Sequence, residues 1–187
     1  MLQPSIEGLS VVKRFLDDRA QATLVEAIDQ DVWNTTLKRR VQHFGHVYEY
    51  ARRAVSSSAR AEPLPSWALA LLHELRSAGV TSEAFDQVIV NEYMPGQGIA
   101  THVDRADCFG PEVLSVSLLG ACVMRFLDSR SAETRGLLLE PGDVLVLKDS
   151  ARYQWAHGIA SRKHDRWNGT VIRRQRRISI TYRRVLA

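Results

Sequence analysis

Thiols are nearly absent from this chain of 187 residues: its two cysteines, Cys108 and Cys122, stand apart and form no Cys-x-x-Cys pair. That excludes a disulfide framework and a cysteine zinc site, so any metal must be held by histidine and carboxylate. No apolar run approaches the roughly 18 to 20 residues that cross a bilayer, and the opening MLQPSIEGLSVVKRF has no basic stretch followed by an apolar one. No membrane span and no secretory leader are expected, and the expected location is cytoplasmic. Glycine and proline are sparse, 11 and 6, and the chain is 45% hydrophobic and 25% charged, a balance that excludes collagen and disorder. The length suits one domain, expected to span residues 1–187.

Lysine is also scarce, 4 against 21 arginines, and the small net charge of +4 hides an uneven distribution. Residues 1–37 hold six acids and three bases. Residues 38–60 hold Lys38, Arg39, Arg40, Arg52, Arg53 and Arg60 against Glu49 alone, and nine bases from Arg162 to Arg184 face the single acid Asp165. Two basic segments of this kind suit an anionic partner such as a phosphate backbone, with a solvated face as the alternative.

Two stretches read as helices. Asp17 or Asp18 can cap one in which Leu24, Val25 and Ile28 share a stripe; Ser66 can cap WALALLHELRSAG, with Leu71, Leu72 and Leu75 buried and Gly79 at the stop. Beyond Phe85 the pattern becomes short apolar runs between the turn signals MPGQG, CFGPE, EPGD and WNGT. Strands are expected at residues 87–93, 113–119, 123–127, 137–139, 144–147, 153–157, 169–173 and 177–183. The fold class is therefore α+β, mainly β: a sandwich or jelly roll with helices on one side.

His102 and Asp104 form a His-x-Asp unit just after MPGQG, and both side chains share a side of an extended backbone. A chain of this composition holds about 0.35 such pairs by chance, so the pair alone decides little. His157 closes YQWAH and precedes Gly158, where a missing side chain permits close approach. Two histidines and one carboxylate match the facial set that holds non-haem Fe(II) with open positions. A loop histidine, a strand-end histidine and a turn aspartate are the bland alternatives. In RISITYR, Arg177, Ser179, Thr181 and Arg183 fall on one face and Ile178, Ile180 and Tyr182 on the other. The two arginines lie about 20 Å apart along a strand, close enough for their long side chains to converge on a small dianion. Asn91 and Tyr93 alternate onto one face directly upstream.

Taken in order, NEYMPGQGIATHVD, EPGDVLVL, WAHGI and RISITYR resemble the AlkB family of Fe(II)- and 2-oxoglutarate-dependent dioxygenases over roughly residues 86–186. Within it, RRVQHFG, NEYMPGQGI, RYQWAHGI and NGTVI resemble the AlkB domain of animal transfer-RNA wobble-uridine hydroxylases, whose further domains have no room here. The resemblance implies a double-stranded β-helix (jelly roll) core over residues 86–187, with helices and a nucleotide-recognition lid over residues 1–85. It implies iron on His102, Asp104 and His157, and 2-oxoglutarate on Asn91, Tyr93, Arg177 and Arg183, with O2 as the other co-substrate.

The implied partner is a nucleic acid, DNA or RNA, with no obligate protein partner and a monomeric state expected. Substrate contacts are expected from Arg39, Arg40, His43, Phe44 and Tyr48, where bases interleave with aromatics, core packing of Phe44 and Tyr48 being the alternative. The implied activity is oxidative dealkylation of alkylated bases, releasing aldehyde, succinate and CO2. The alternatives are hydroxylation of a transfer-RNA wobble-uridine side chain and an inactive nucleic-acid-binding module. In one respect the chain departs from the family: Ala106 stands where AlkB itself carries a base-contacting acid, so base preference does not carry over.

Overall fold

The computed structural model describes residues 5–49, 54–60 and 62–186, with backbone only at residues 48, 49 and 54–60. Two antiparallel sheets face each other. The larger runs in the order β1 (Leu9–Val12), β10 (Val144–Leu147), β7 (Phe109–Leu118), β14 (Arg177–Val185), β5 (Gln87–Tyr93) and β2 (Val41–Phe44). The smaller runs β6 (Ile99–His102), β11 (Trp155–Ile159), β8 (Cys122–Asp128) and β9 (Thr134–Leu139). Two hairpins stand outside them, β3 (His46–Glu49) with β4 (Ala54–Arg60) and β12 (His164–Trp167) with β13 (Thr170–Arg173). The sequence of crossovers is that of a jelly roll.

Strand alternation divides the interior into two cores. Val88, Val90, Leu114, Val116, Val144, Val146, Ile178, Ile180 and Tyr182 point out of the large sheet toward helices α1 (Asp18–Gln30) and α2 (Ser66–Ser77), which bury Leu24, Ile28, Leu71, Leu72 and Leu75 against them. The opposite face of the same strands closes on the small sheet, where Val113, Met124, Phe126, Leu145, Leu147 and Trp155 pack. A strand buried on both sides normally reads as continuously apolar. Here the inward face instead carries Asn91, Ser115, Ser117, Arg177, Ser179 and Thr181, all buried. Polar groups are costly inside a sandwich unless something polar meets them.

Helix α1 is capped by Asp17, whose side chain accepts from Ala20 N at 2.8 Å. Ser66 does not cap α2: the N-cap is Pro65, whose carbonyl receives Ala68 N and Leu69 N, and Ser66 is the first helical residue. Residues 153–157 are not one strand either. Tyr153 ends a short helix, α3 (Asp149–Tyr153), and β11 begins at Trp155. The β-propensity of YQWAH is overridden at its start because Arg152 and Ala151, on α3, are drawn into the core. The N-terminal half also contributes strands: β1 and β2 form the edges of the large sheet, where pairing to β10 and β5 supplies an order that their short sequences do not signal.

Candidate active site

His102 ends β6 and His157 lies directly opposite on β11, the two being Cα partners in the ladder. Gly158 permits that closeness: a Cβ there would stand 2.8 Å from the Thr101 Cα. The two imidazole rings lie 4.7 Å apart. Two residues beyond His102, Asp104 turns its buried carboxylate toward them, with Oδ2 3.6 Å from His157 Nε2. One ligand atom from each of His102, Asp104 and His157 falls within 4.8 Å of the others.

The surrounding polar groups fit a cation at that point. Asp104 Oδ1 meets Arg183 Nη2 at 2.6 Å, leaving Oδ2 buried with no hydrogen-bond partner, and His157 Nδ1 is likewise unpartnered. His102 Nδ1 lies 2.8 Å from the Ala100 carbonyl, an arrangement that fixes the ring and leaves Nε2 for a metal. Burial works against the charge on Asp104, but the Arg183 guanidinium, the two imidazoles and Arg152 outweigh it and hold the carboxyl at about 2. Burial also pushes His157 down to about 4, against the opposing pull of Asp104. Two imidazoles and a carboxylate on one side, with the outer cavity on the other, suit Fe(II).

Facing this trio, the inward side of β14 lines a small cavity of about 50 Å³ with Ser179, Thr181 and Arg183, joined by Asn91 and Tyr93 from β5. Arg177 lies at the far end of the same strand face, 3% exposed, donating from Nη2 to Ser117 Oγ at 2.9 Å and stacking over the Tyr93 ring. Its Nε and Nη1 have no hydrogen-bond partner. A buried guanidinium with two idle donors has the charge and the fork for a carboxylate. The residues therefore fit a dicarboxylate reaching from Arg177 toward the trio, with Arg183, Asn91 and Tyr93 brought together around the small cavity.

A second cavity of about 350 Å³ meets the first at Asn91, Ile99, His102, Asp104 and Arg183 and extends outward past Ile89, Val103, Arg105 and Phe109. Arg39 lines it and donates from Nε to Asn91 Oδ1 at 3.0 Å. His43, opposite Ile89 in the β2–β5 ladder, is held at about 4 by burial and by Arg183 and Arg39. Two residues expected to contact substrate do not line this cavity. Arg40 is bound by both Glu92 oxygens at 2.6 Å and stacks on Trp33, away from the cavity, because Glu92 is a buried acid that needs a cation. Phe44 alternates onto the helix side of β2, buried edge-on against Trp67. The Tyr48 side chain lies outside the described residues.

Sequence reasoning missed Arg152. Although 2% exposed, it makes no carboxylate ion pair among the described residues; it donates to the carbonyls of Asp104, Arg105, Phe109 and Gly110 at 2.7 to 3.3 Å. One guanidinium thereby ties down the loop that carries Asp104 and the wall residues Arg105 and Phe109. It opens the motif RYQWAHGI, but residue type alone gave it no role among 21 arginines. Ser117, which holds Arg177, was hidden inside an apolar run, although its alternation with Ser115 was a readable signal.

Residues 8–183 match the sequence profile of the 2OG-Fe(II) oxygenase superfamily. An uncharacterised protein of Acanthamoeba polyphaga mimivirus is 30% identical over 97% of this chain and 87% of its own length. The Arabidopsis thaliana "Alkylated DNA repair protein ALKBH8 homolog" is 34% identical over 97% of this chain, which spans 59% of that protein. The Xenopus tropicalis "tRNA (carboxymethyluridine(34)-5-O)-methyltransferase alkbh8" is 32% identical over 88% of this chain, here spanning 27% of the relative. In fold, the chain is similar to the solved structure of OsALKBH1, with a TM-score of 0.75 at 16% identity over 97% of this chain and 100% of that one. The chain belongs to the 2OG-Fe(II) oxygenase superfamily, among its AlkB-like dioxygenases, enzymes that use Fe(II), 2-oxoglutarate and O2.

Proposed function

We propose that the chain, acting as a single domain whose residues 1–85 frame the substrate and whose residues 86–187 form the catalytic core, oxidises a carbon–hydrogen bond on a nucleic-acid base. His102, Asp104 and His157 hold the iron; Arg177, Arg183, Asn91 and Tyr93 hold 2-oxoglutarate. Together the iron and 2-oxoglutarate supply the activation of O2, with 2-oxoglutarate released as succinate and CO2. Arg177 anchors the far carboxylate in its fork, and Arg183 keeps the Asp104 carboxylate ionised and aimed. Arg152 fixes the loop that sets the position of Asp104, and Ile89, Ile99 and Phe109 give the cavity apolar walls that exclude water. A base must leave its stack, or arrive already single-stranded, to enter.

The observation that carries the choice of substrate is the lining of the outer cavity, where Asp104, the one carboxylate among the described residues there, is taken by Arg183, while Arg105 is paired with Asp107 and Arg39 donates to Asn91, so that no free acid faces an entering base. Such a wall disfavours bases that N-methylation has made cationic and suits a neutral or acid-bearing substituent. Hydroxylation of a uridine side chain is thus the favoured reading, and the name of the frog relative supports it. A hydroxyl placed on a carbon-linked side chain persists. Oxidative dealkylation is the second reading, supported by the name of the plant relative; there the hydroxylated carbon sits on nitrogen and is lost as an aldehyde.

Protein, Fe(II), 2-oxoglutarate and ascorbate are incubated with total transfer RNA, with N6-methyladenine oligonucleotides and with 1-methyladenine and 3-methylcytosine oligonucleotides, then digested for nucleoside mass spectrometry. A new hydroxylated uridine in transfer RNA is expected. Loss of only the cationic methylated bases would overturn the favoured reading and leave the second.

A further inference from the structure

Most arginines of the C-terminal basic segment are already engaged. Arg162 and Arg174 hold Asp165, Arg176 holds Asp29 and Glu92, Arg177 meets Ser117, Arg183 meets Asp104, and Arg184 meets Glu83. Three cations remain: Lys163, Arg166 and Arg173 are exposed and make no ion pair among the described residues. They occur together. In the β12–β13 ladder His164 pairs with Arg173 and Arg166 with Val171, so these four share one face, and all four are exposed. The other face is seated on the core through Asp165 and Trp167, the latter against Gly136.

The hairpin is held firmly in place. Asn168 and Gly169, both with positive φ, form its two-residue turn. Beneath it the fully buried Asp165 carboxylate accepts from Val123 N, Arg162 and Arg174 at 2.6 to 2.9 Å. Arg174 also donates to the Gln97 carbonyl, and Gly96 N to the Arg162 carbonyl, so the hairpin base is fastened to the turn before β6. The Lys163 side chain runs beside Gly96, and Gln97 Nε2 donates to the Lys38 carbonyl, which brings a second exposed lysine to the same turn. From Gly98 to His102 the chain advances four residues, about 13 Å at a strand's rise. That is about four stacked base steps at 3.4 Å each.

We infer that the outer face of the β12–β13 hairpin, with Arg166 and Arg173, together with Lys163 at its base beside Gly96, is a phosphate-contact surface that takes the nucleic-acid backbone a few nucleotides from the base being oxidised. The inference rests on the nucleic-acid reading above and adds to it where the strand runs. The surface reads no sequence; it supplies affinity and orientation through counterion release.

Anisotropy of fluorescein-labelled 20-nucleotide single strands, DNA and RNA of one sequence, is followed from 50 to 300 mM KCl for the parent and for Lys163→Gln/Arg166→Gln/Arg173→Gln. With about 0.7 counterion per single-strand contact, the slope of log affinity against log salt should become shallower by about 2, and affinity near 100 mM should fall about tenfold or more. The control Arg14→Gln/Arg19→Gln/Arg130→Gln should keep the parent slope. The thermal shift produced by Mn(II) with 2-oxoglutarate should be the same in all three proteins; its loss in the hairpin variant would place the defect in the core and overturn the inference. An unchanged slope in the hairpin variant would overturn it while leaving the nucleic-acid reading intact. A parent that binds neither strand, or that binds only phosphatidylserine vesicles, would overturn both.

Discussion

The two basic segments, Lys38–Arg60 and Arg162–Arg184, look alike as strings of charge, yet within their described residues the structure puts their cations to different uses. In the first, Arg40 is held by Glu92 on the helix side of the sheet while its neighbour Arg39 lines the outer cavity. In the second, Arg162, Arg174 and Arg176 tether elements to one another, Arg177 and Arg183 face the interior, and Lys163, Arg166 and Arg173 face solvent. A count of charges therefore overstates the surface offered to a polymer. What decides a cation's role is whether an acid is buried within its reach, and Glu92, Asp104 and Asp165 are three such acids.

The tethering role predicts the largest effect. Arg174→Met leaves the Asp165 carboxylate buried with Arg162 and Val123 N as its remaining partners, and should cost about 3 kcal/mol of stability. Chemical denaturation would measure this directly, and a thermal midpoint should drop by roughly 6–12 °C. A change below about 1 kcal/mol would remove the distinction between tethering and surface arginines.

The interior role predicts the opposite pairing of effects. Arg177→Met should raise the KM for 2-oxoglutarate about 100-fold, since a charge-assisted fork is lost. It should leave the thermal midpoint without co-substrate unchanged or slightly higher, because two idle buried donors disappear with it. A lowered midpoint with an unchanged KM would make Arg177 a tether.

Arg152 belongs to neither segment and sharpens the contrast, as a buried cation answered by carbonyl oxygens. Arg152→Met should weaken Mn(II) binding to the protein about 10- to 100-fold by loosening the loop that holds Asp104. Calorimetric titration checks it, with Arg152→Lys expected to recover part of the affinity.

The smallest effect is a pH dependence. The unfolded chain protonates its histidines near 6.5, whereas burial holds His43 and His157 at about 4. As pH falls the unfolded state takes up protons first, so this stability is present in full above about 6.5 and is lost progressively toward 4. The thermal midpoint should decline between pH 7 and 4.5, and less steeply in His43→Gln.

Strand β14 was legible because its alternation is strict: Arg177, Ser179, Thr181 and Arg183 on one face, Ile178, Ile180 and Tyr182 on the other, all buried except the half-buried Arg183. His102, Asp104 and His157 were legible by residue type and order, although only the β6–β11 ladder brings the histidines side by side. The substrate face was harder. Arg40 and Phe44 carry the right chemistry, but β2 alternation and the need of Glu92 for a partner remove them from the cavity, and neither is visible from local sequence. Arg152 opens the quoted motif RYQWAHGI, yet its role was not legible because its partners are backbone carbonyls, which every residue possesses. The strand expected at residues 169–173 was half of a hairpin whose first arm, HDRW, alternates polar and buried without an apolar run.

The central claim is that His102, Asp104 and His157 form an iron site served by 2-oxoglutarate and opening on a nucleic-acid base. Its most direct test is to quantify succinate and oxidised nucleosides in the same reaction on total transfer RNA, for the parent and for His102→Ala. Equimolar succinate and a new hydroxylated nucleoside in the parent, with both absent in the variant, is the predicted result. Undiminished nucleoside oxidation by His102→Ala would contradict it.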